Sequence, residues 1–198
     1  MNSPIDNISL AHFVDRVAVL VTSATAESLL LAAVSAAMRD LVSADGWLDP
    51  RFACPHETYY QQYLLHADPN DRFSVVSFVW GPGQETPIHD HRVWGVIGML
   101  RGAELTQNYE IDANGKPVPK GPEVRLRPGD IGMVSPRIGD VHRVRNALPD
   151  QVSISIHVYG GNIGKIRRSV FPAEGGLARE FVSGYANANG RTGHGIGI

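Results

Sequence analysis

Cysteine is nearly missing. Cys54 is the only one in 198 residues, which excludes an intramolecular disulfide framework and any cysteine-rich zinc module. A surplus of one charge is missing too. Eighteen Lys+Arg against twenty Asp+Glu leave a formal −2, so no basic excess is available to hold nucleic acid or an anionic membrane. The longest apolar stretch, residues 17–38, is interrupted by Thr22, Ser23, Thr25, Glu27 and Ser28 and reads as two amphipathic helices rather than a bilayer span. The opening Met-Asn-Ser-Pro-Ile-Asp has no positive charge of the kind that starts a secretory leader, and a reducing cytoplasm is the expected compartment. What is present is a globular composition, 43% hydrophobic and 19% charged. It suffices for one domain over residues 1–198 with a core of its own.

The texture divides the chain. Over residues 9–21 and 25–41 apolar side chains recur at helical spacing, among them Leu29, Leu30, Ala33, Val34, Met38 and Leu41. Glu27 falls in the first turn of the second stretch, where a negative charge suits the helix dipole. Pro55 suits a first helical position, and a third short helix is expected from there to about residue 65. The helical part thus covers residues 1–70. From Arg72 the pattern changes to short runs rich in Val, Ile, Phe and Tyr. Turn clusters punctuate them at Gly81-Pro82-Gly83, Asp112-Ala113-Asn114-Gly115, Arg127-Pro128-Gly129-Asp130 and Gly160-Gly161-Asn162. A closed or sandwiched β body is expected over 71–171. Residues 172–198 form an extension whose Gly/Asn/Thr-rich end, from Asn187, reads as loose.

Eight histidines carry the chemistry. His89 and His91 follow Pro87 in a segment expected to be extended, where alternate residues share a face, so both imidazoles aim together while Asp90 and Arg92 turn away. Imidazole suits Fe, Zn, Cu and Ni; two polar residues on an exposed face are the plainer reading of this pair alone. In the run 152–159, Val152, Ile154, Ile156 and Val158 alternate with Ser153, Ser155, His157 and Tyr159. The polar face either meets water or lines an internal pocket. His12 and His66 fall in expected helices and His194 in the tail, and all three read as surface or capping residues. Cys54 reads as a small buried hydrophobe. Phe78, Trp80, Trp94 and Met99 read as wall and core, Trp94 with the option of bordering the pocket.

The pattern Gly83-x5-His89-x-His91-x3-Gly95-x6-Gly102 resembles the first motif of the cupin superfamily, with Gly95 where many cupins place a metal-binding glutamate. Gly129-Asp130, Pro136, Gly139, His142 and Asn146 resemble the second, its proline displaced by about one position. The resemblance implies a mainly β cupin jelly-roll barrel with the N-terminal helices packed outside, and His89, His91 and His142 converging on one metal ion. Three neutral imidazoles leave the 2+ charge uncompensated, which favours an anionic ligand. The set suits iron and catalytic zinc alike.

From about Tyr60 to Arg168 the chain further resembles the thiol dioxygenases, cupins that include cysteine dioxygenase and 3-mercaptopropionate dioxygenase. That resemblance implies Fe(II) at the three histidines, a hydrogen-bond relay of Ser155, His157 and Tyr159, and a small thiol carboxylate and dioxygen as substrates. Gly95 matches the position where animal cysteine dioxygenases carry a cysteine crosslinked to the relay tyrosine, so no crosslink is expected. Gln62 matches their carboxylate-binding arginine, and glutamine there resembles the bacterial 3-mercaptopropionate enzymes. In those enzymes an arginine near the end of the β body meets the carboxylate. Arg167 and Arg168 are the candidates, and Arg168 shares parity with Ile166 and Val170. L-cysteine as substrate stays open as an alternative, as does a cupin hydrolase or isomerase of different chemistry.

Overall fold

Ser9 starts the first helix by accepting the His12 N–H at 3.2 Å, a side-chain cap of the kind that satisfies an orphan donor. The computed structural model describes residues 9–188. Helices α1 (Leu10–Ser23) and α2 (Glu27–Val42) are followed by a single 3-10 turn at Pro50–Phe52. Eleven strands then complete the described residues: β1 (Gln61–Ala67), β2 (Ser74–Trp80), β3 (Ile88–His89), β4 (Gly95–Arg101), β5 (Glu104–Ile111), β6 (Pro117–Leu126), β7 (Ile131–Val134), β8 (His142–Asn146), β9 (Ser153–Tyr159), β10 (Arg168–Phe171) and β11 (Arg179–Phe181). They form two antiparallel sheets, ordered β1-β2-β9-β4-β7 and β11-β10-β3-β8-β5-β6. This is the mainly β cupin jelly roll, with the two helices outside it.

The first sheet is covered on both faces. Val17, Val34, Met38 and Leu41 of the helices pack on Val75, Val79, Val96, Leu100, Ile154, Ile156 and Val158. The opposite face of β2 and β9 looks into the barrel, where Phe78, Trp80, Tyr159 and Val144 form a second cluster. Both strands are buried along their whole length. The seam between α2 and β4 is tight at Gly98, where a Cβ would lie 2.6 Å from the Met38 Cγ and 2.8 Å from the Val42 Cγ1. On α2 the covered stripe runs through Leu30, Leu31, Val34, Met38 and Leu41, leaving Leu29 exposed.

The expected helix at 55–65 is not formed. Proline opens a 3-10 turn at Pro50 instead, and residues 61–67 are the edge strand β1, paired with β2 from Gln61↔Val79 to Ala67↔Ser74. Gln, Leu and Ala favour helices only weakly as a prior. Pairing with β2 outweighs that preference, turning Tyr60 and Gln62 inward and Tyr63 and Leu65 onto the helix-side core. The β body therefore begins before residue 71 and passes 171, since β11 pairs with β10. His66 lies in β1 against Phe73, not in a helix. Cys54 is exposed, not buried. Asn187 is pinned, its side chain bonding both the N–H and the C=O of Leu64 at 2.9 Å. The rest of the expected loose end, with His194, lies outside the described residues.

Candidate metal centre and pocket

Register brings the histidines together. β3 is two residues long and lies between β10 and β8, with His89 opposite Val170 on one side and His142 on the other. The chain then turns sharply at Arg92, at a φ of 60°. His91 joins the same cluster from beyond the strand end, and Asp90 and Arg92 bond outward to Ser169. His89, His91 and His142 are all buried, and each offers a ligating atom within 4.8 Å of the other two. The His89 Nδ1 lies 3.0 Å from the Pro87 carbonyl and the His91 Nδ1 3.0 Å from the Asp140 carboxylate. Partners of this kind fix the tautomer and leave the other nitrogen free to ligate. Burial pushes Asp140 up, but hydrogen bonds from the His91 ring and from the His91 and Arg92 amides outweigh it and hold the carboxyl below its ordinary range. Burial, then the neighbouring histidines, hold His89 well below the usual imidazole value and bring His142 down to about 3. Both rings are thus neutral and carry a lone pair at neutral pH.

Beside this cluster the inward face of β9 forms a chain. The Ser155 Oγ lies 2.8 Å from the His157 Nε2, and the His157 Nδ1 lies 2.8 Å from the Tyr159 hydroxyl. Burial keeps His157 neutral and raises the Tyr159 hydroxyl far above its ordinary range. The Tyr159 ring stacks on His91 at 5.3 Å. Gly95 leaves room for it, since a Cβ there would sit 2.8 Å from the ring.

The pocket over the histidines is walled by Tyr60, Phe78, Trp80, Gln62 and Arg168, and no acidic side chain lines it among the described residues. Arg168 is 3% exposed. Its Nη2 donates to the Ser183 hydroxyl at 2.6 Å, its guanidinium carbon stands 4.6 Å from the Phe181 ring centre, and its Nε has no partner. Gln62 donates to the same Ser183 oxygen at 3.1 Å and to the Gly184 carbonyl at 2.8 Å. Arg167 lies outside, bonded to Glu180. Trp94 packs with the helix-side core.

Residues 2–169 match the family model for cysteine dioxygenase type I. The chain belongs to that family. Similar solved structures include a conserved double-stranded β-helix protein from Klebsiella pneumoniae, 20% identical over 65% of this chain and 99% of that one, with a TM-score of 0.48. A cupin superfamily protein from Desulfitobacterium hafniense is 13% identical over 54% of this chain and 82% of that one, with a TM-score of 0.41.

Cysteine dioxygenases are non-haem iron enzymes that act on a thiol and dioxygen, which sets aside a cupin hydrolase or isomerase. The cluster fits such an ion on its own chemistry. Convergent buried imidazoles suit a divalent first-row metal, and the buried Nδ1 of His142 has no hydrogen-bond partner. All eight site residues expected from the sequence, His89, His91, His142, Ser155, His157, Tyr159, Gln62 and Arg168, line the pocket or join the chain beside it. Sequence reasoning missed Asp140 and Ser183. The position of Asp140, two residues before His142, is a signal that was available. Ser183 meets the site only through the fold.

Proposed function

We propose that this cysteine dioxygenase family member is a 3-mercaptopropionate dioxygenase, converting a 3-mercaptoalkanoate to its sulfinate. The observation that carries the reading is Arg168: a buried guanidinium, its Nε unpartnered, facing a pocket with no acidic side chain. A planar guanidinium can clamp a carboxylate through two hydrogen bonds. A substrate ammonium would find no counter-charge among these walls, which favours 3-mercaptopropionate over L-cysteine.

His89, His91 and His142 would hold an Fe(II) ion, which would supply coordination of the thiolate and activation of dioxygen. Arg168 holds the carboxylate, and Gln62, uncharged, seats Ser183 against it. Tyr60, Phe78 and Trp80 present apolar surface to the methylene chain and exclude water. Tyr159 keeps its hydroxyl proton and, held by His157 and Ser155, presents it as a donor to the sulfur or to oxygen bonded to it. Both oxygen atoms end on sulfur, which gives up the electrons that dioxygen takes, so the sulfinic acid forms without an outside reductant.

Oxygen uptake by the Fe(II)-loaded protein, measured in parallel with 3-mercaptopropionate and L-cysteine, tests this. Faster uptake with 3-mercaptopropionate and a sulfinate product is expected. Faster turnover of L-cysteine would overturn the substrate, and no uptake with either would overturn the dioxygenase reading.

A further inference from the structure

The barrel has an open seam. Strand β7 ends one sheet and β6 ends the other, and among the described residues no ladder pairing joins them. A second cavity, of about 190 Å³, enters there. Val124 of β6 and Met133 of β7 stand at its mouth, both about half exposed. Strand register lays out its walls, since residues opposite one another on paired antiparallel strands share a face. Gly132, Ile97 and His157 form one row across β7, β4 and β9. Val124, Thr106 and Val144 form the facing row across β6, β5 and β8. Leu126 and Val134 add apolar wall, Glu104 and Asn108 add polar groups along β5, and no lysine or arginine lines the cavity among the described residues. His142, Val144 and His157 line this cavity and the thiol pocket alike, and so form the partition between the two.

The thiol pocket has room for about 20 Å³, little more than the roughly 10–15 Å³ that one water needs. A thiol carboxylate seated between Arg168 and the histidines fills it, so the gas that reacts with the thiol needs a separate way in. Dioxygen is small, uncharged and apolar, and it leaves water for apolar surroundings. Cavities lined by aliphatic side chains take up such guests, as xenon does in engineered ones. The seam cavity is walled largely by aliphatic side chains and ends on His142, one of the three clustered histidines.

We propose that the seam cavity is a binding site and entry route for dioxygen, which passes Val144 to reach the histidines while the anionic thiol enters beside Arg168. The two substrates are thus sorted by chemistry, the ion to the buried guanidinium and the gas to the aliphatic seam. Gly132 keeps the route wide. A Cβ there would lie 3.4 Å from the Leu126 Cδ1 and 3.8 Å from the Ile97 Cβ, ordinary contacts with two residues of the cavity wall. A longer side chain at 132 is therefore compatible with strand β7 and projects into the route. The inference rests on the dioxygenase reading for the use made of the gas, but not for its binding.

The test reads methyl relaxation by NMR in the protein loaded with diamagnetic Zn(II), under dioxygen and under nitrogen. Dioxygen is paramagnetic and speeds the relaxation of nuclei it dwells beside. Under dioxygen the methyls of Ile97, Leu126 and Val144 are expected to gain more relaxation than those of buried Val17 or exposed Leu177. Alongside it, kcat/KM for dioxygen is measured in the iron enzyme at saturating 3-mercaptopropionate. G132L and, from the opposite wall, L126F should each abolish the gain at Val144. Each should also lower kcat/KM for dioxygen about tenfold, with KM for the thiol unchanged and the methyl spectrum of the helix-side core intact. Cavity methyls that gain no more than Val17 overturn the inference, and so do folded variants that keep the wild-type kcat/KM for dioxygen. A wild type that shows the gain but consumes no oxygen overturns the functional reading and leaves the dioxygen site standing.

Discussion

Arg168 is a buried cation whose guanidinium is held by one hydroxyl and one ring rather than by an acid. Burial lowers its pKa, the nearby Tyr159, Tyr60 and Asp90 partly restoring it. Leaving such a charge without a partner is costly, and an anionic substrate relieves that cost. R168A should therefore raise KM for 3-mercaptopropionate by about 10–100-fold, the range of 1.4–3 kcal/mol for a charge-assisted hydrogen bond. Cysteamine, which has no carboxylate, should show little change. Equal effects on the two thiols would remove Arg168 from carboxylate binding.

Strand β9 was legible because its message is local. A strict two-residue alternation assigns Ile154, Ile156 and Val158 to one face and Ser155, His157 and Tyr159 to the other, and helices cover the first face. Strand β1 was not legible, because Gln61-Gln62-Tyr63-Leu64-Leu65 carries no strand pattern and becomes a strand only by pairing with β2. The polar contacts of Gln62 were equally hidden, since Ser183 stands 121 residues further along the chain. The three histidines lay between these extremes: motif spacing grouped them, and the short strand between β10 and β8 sets them side by side. At the scale of elements the weak tolerance lies where α2 meets β4. G98A would press a methyl into Met38 and Val42, and overpacking of this kind costs about 1–3 kcal/mol. Thermal unfolding should drop by about 2–4 °C per kcal/mol, with metal content unchanged; an unaltered midpoint would show that α2 shifts freely on the sheet.

For the whole molecule, three buried neutral imidazoles couple folding to pH. His89, His142 and His157 all titrate below their ordinary range in the fold, whereas the unfolded chain takes up protons from about pH 6.5 downward. Their contribution is complete above about 6.5 and is lost as pH falls, until His142 itself takes a proton at about 3. By pH 4.5 His142 should cost about 2–3 kcal/mol, at about 1.4 kcal/mol per unit, with His89 and His157 acting in the same direction. Glu104 has the opposite sign: its raised pKa favours folding below the unfolded value of 4.5, a contribution lost as pH rises through about 7. The melting temperature of metal-free protein should thus fall steeply between pH 6.5 and 4.5. Added Fe(II) or Zn(II) should raise it at pH 7 in the wild type but not in H142A, by mass action on the folded state. A melting temperature flat across the acid range would contradict the burial of these rings.

Ser183 lies past the last residue of β11, yet it accepts hydrogen bonds from both Gln62 and Arg168. The segment that carries it is laced to the β1 edge through the Ala186 N–H to the Gln62 carbonyl and through Asn187 to Leu64. The polar end of the pocket is thus set in part by a piece of chain that hydrogen-bonds to the β1 edge rather than to the metal-holding strands. A lineage could exchange or shorten residues 183–187, acquire a taste for a different thiol, and inherit its oxygen chemistry untouched.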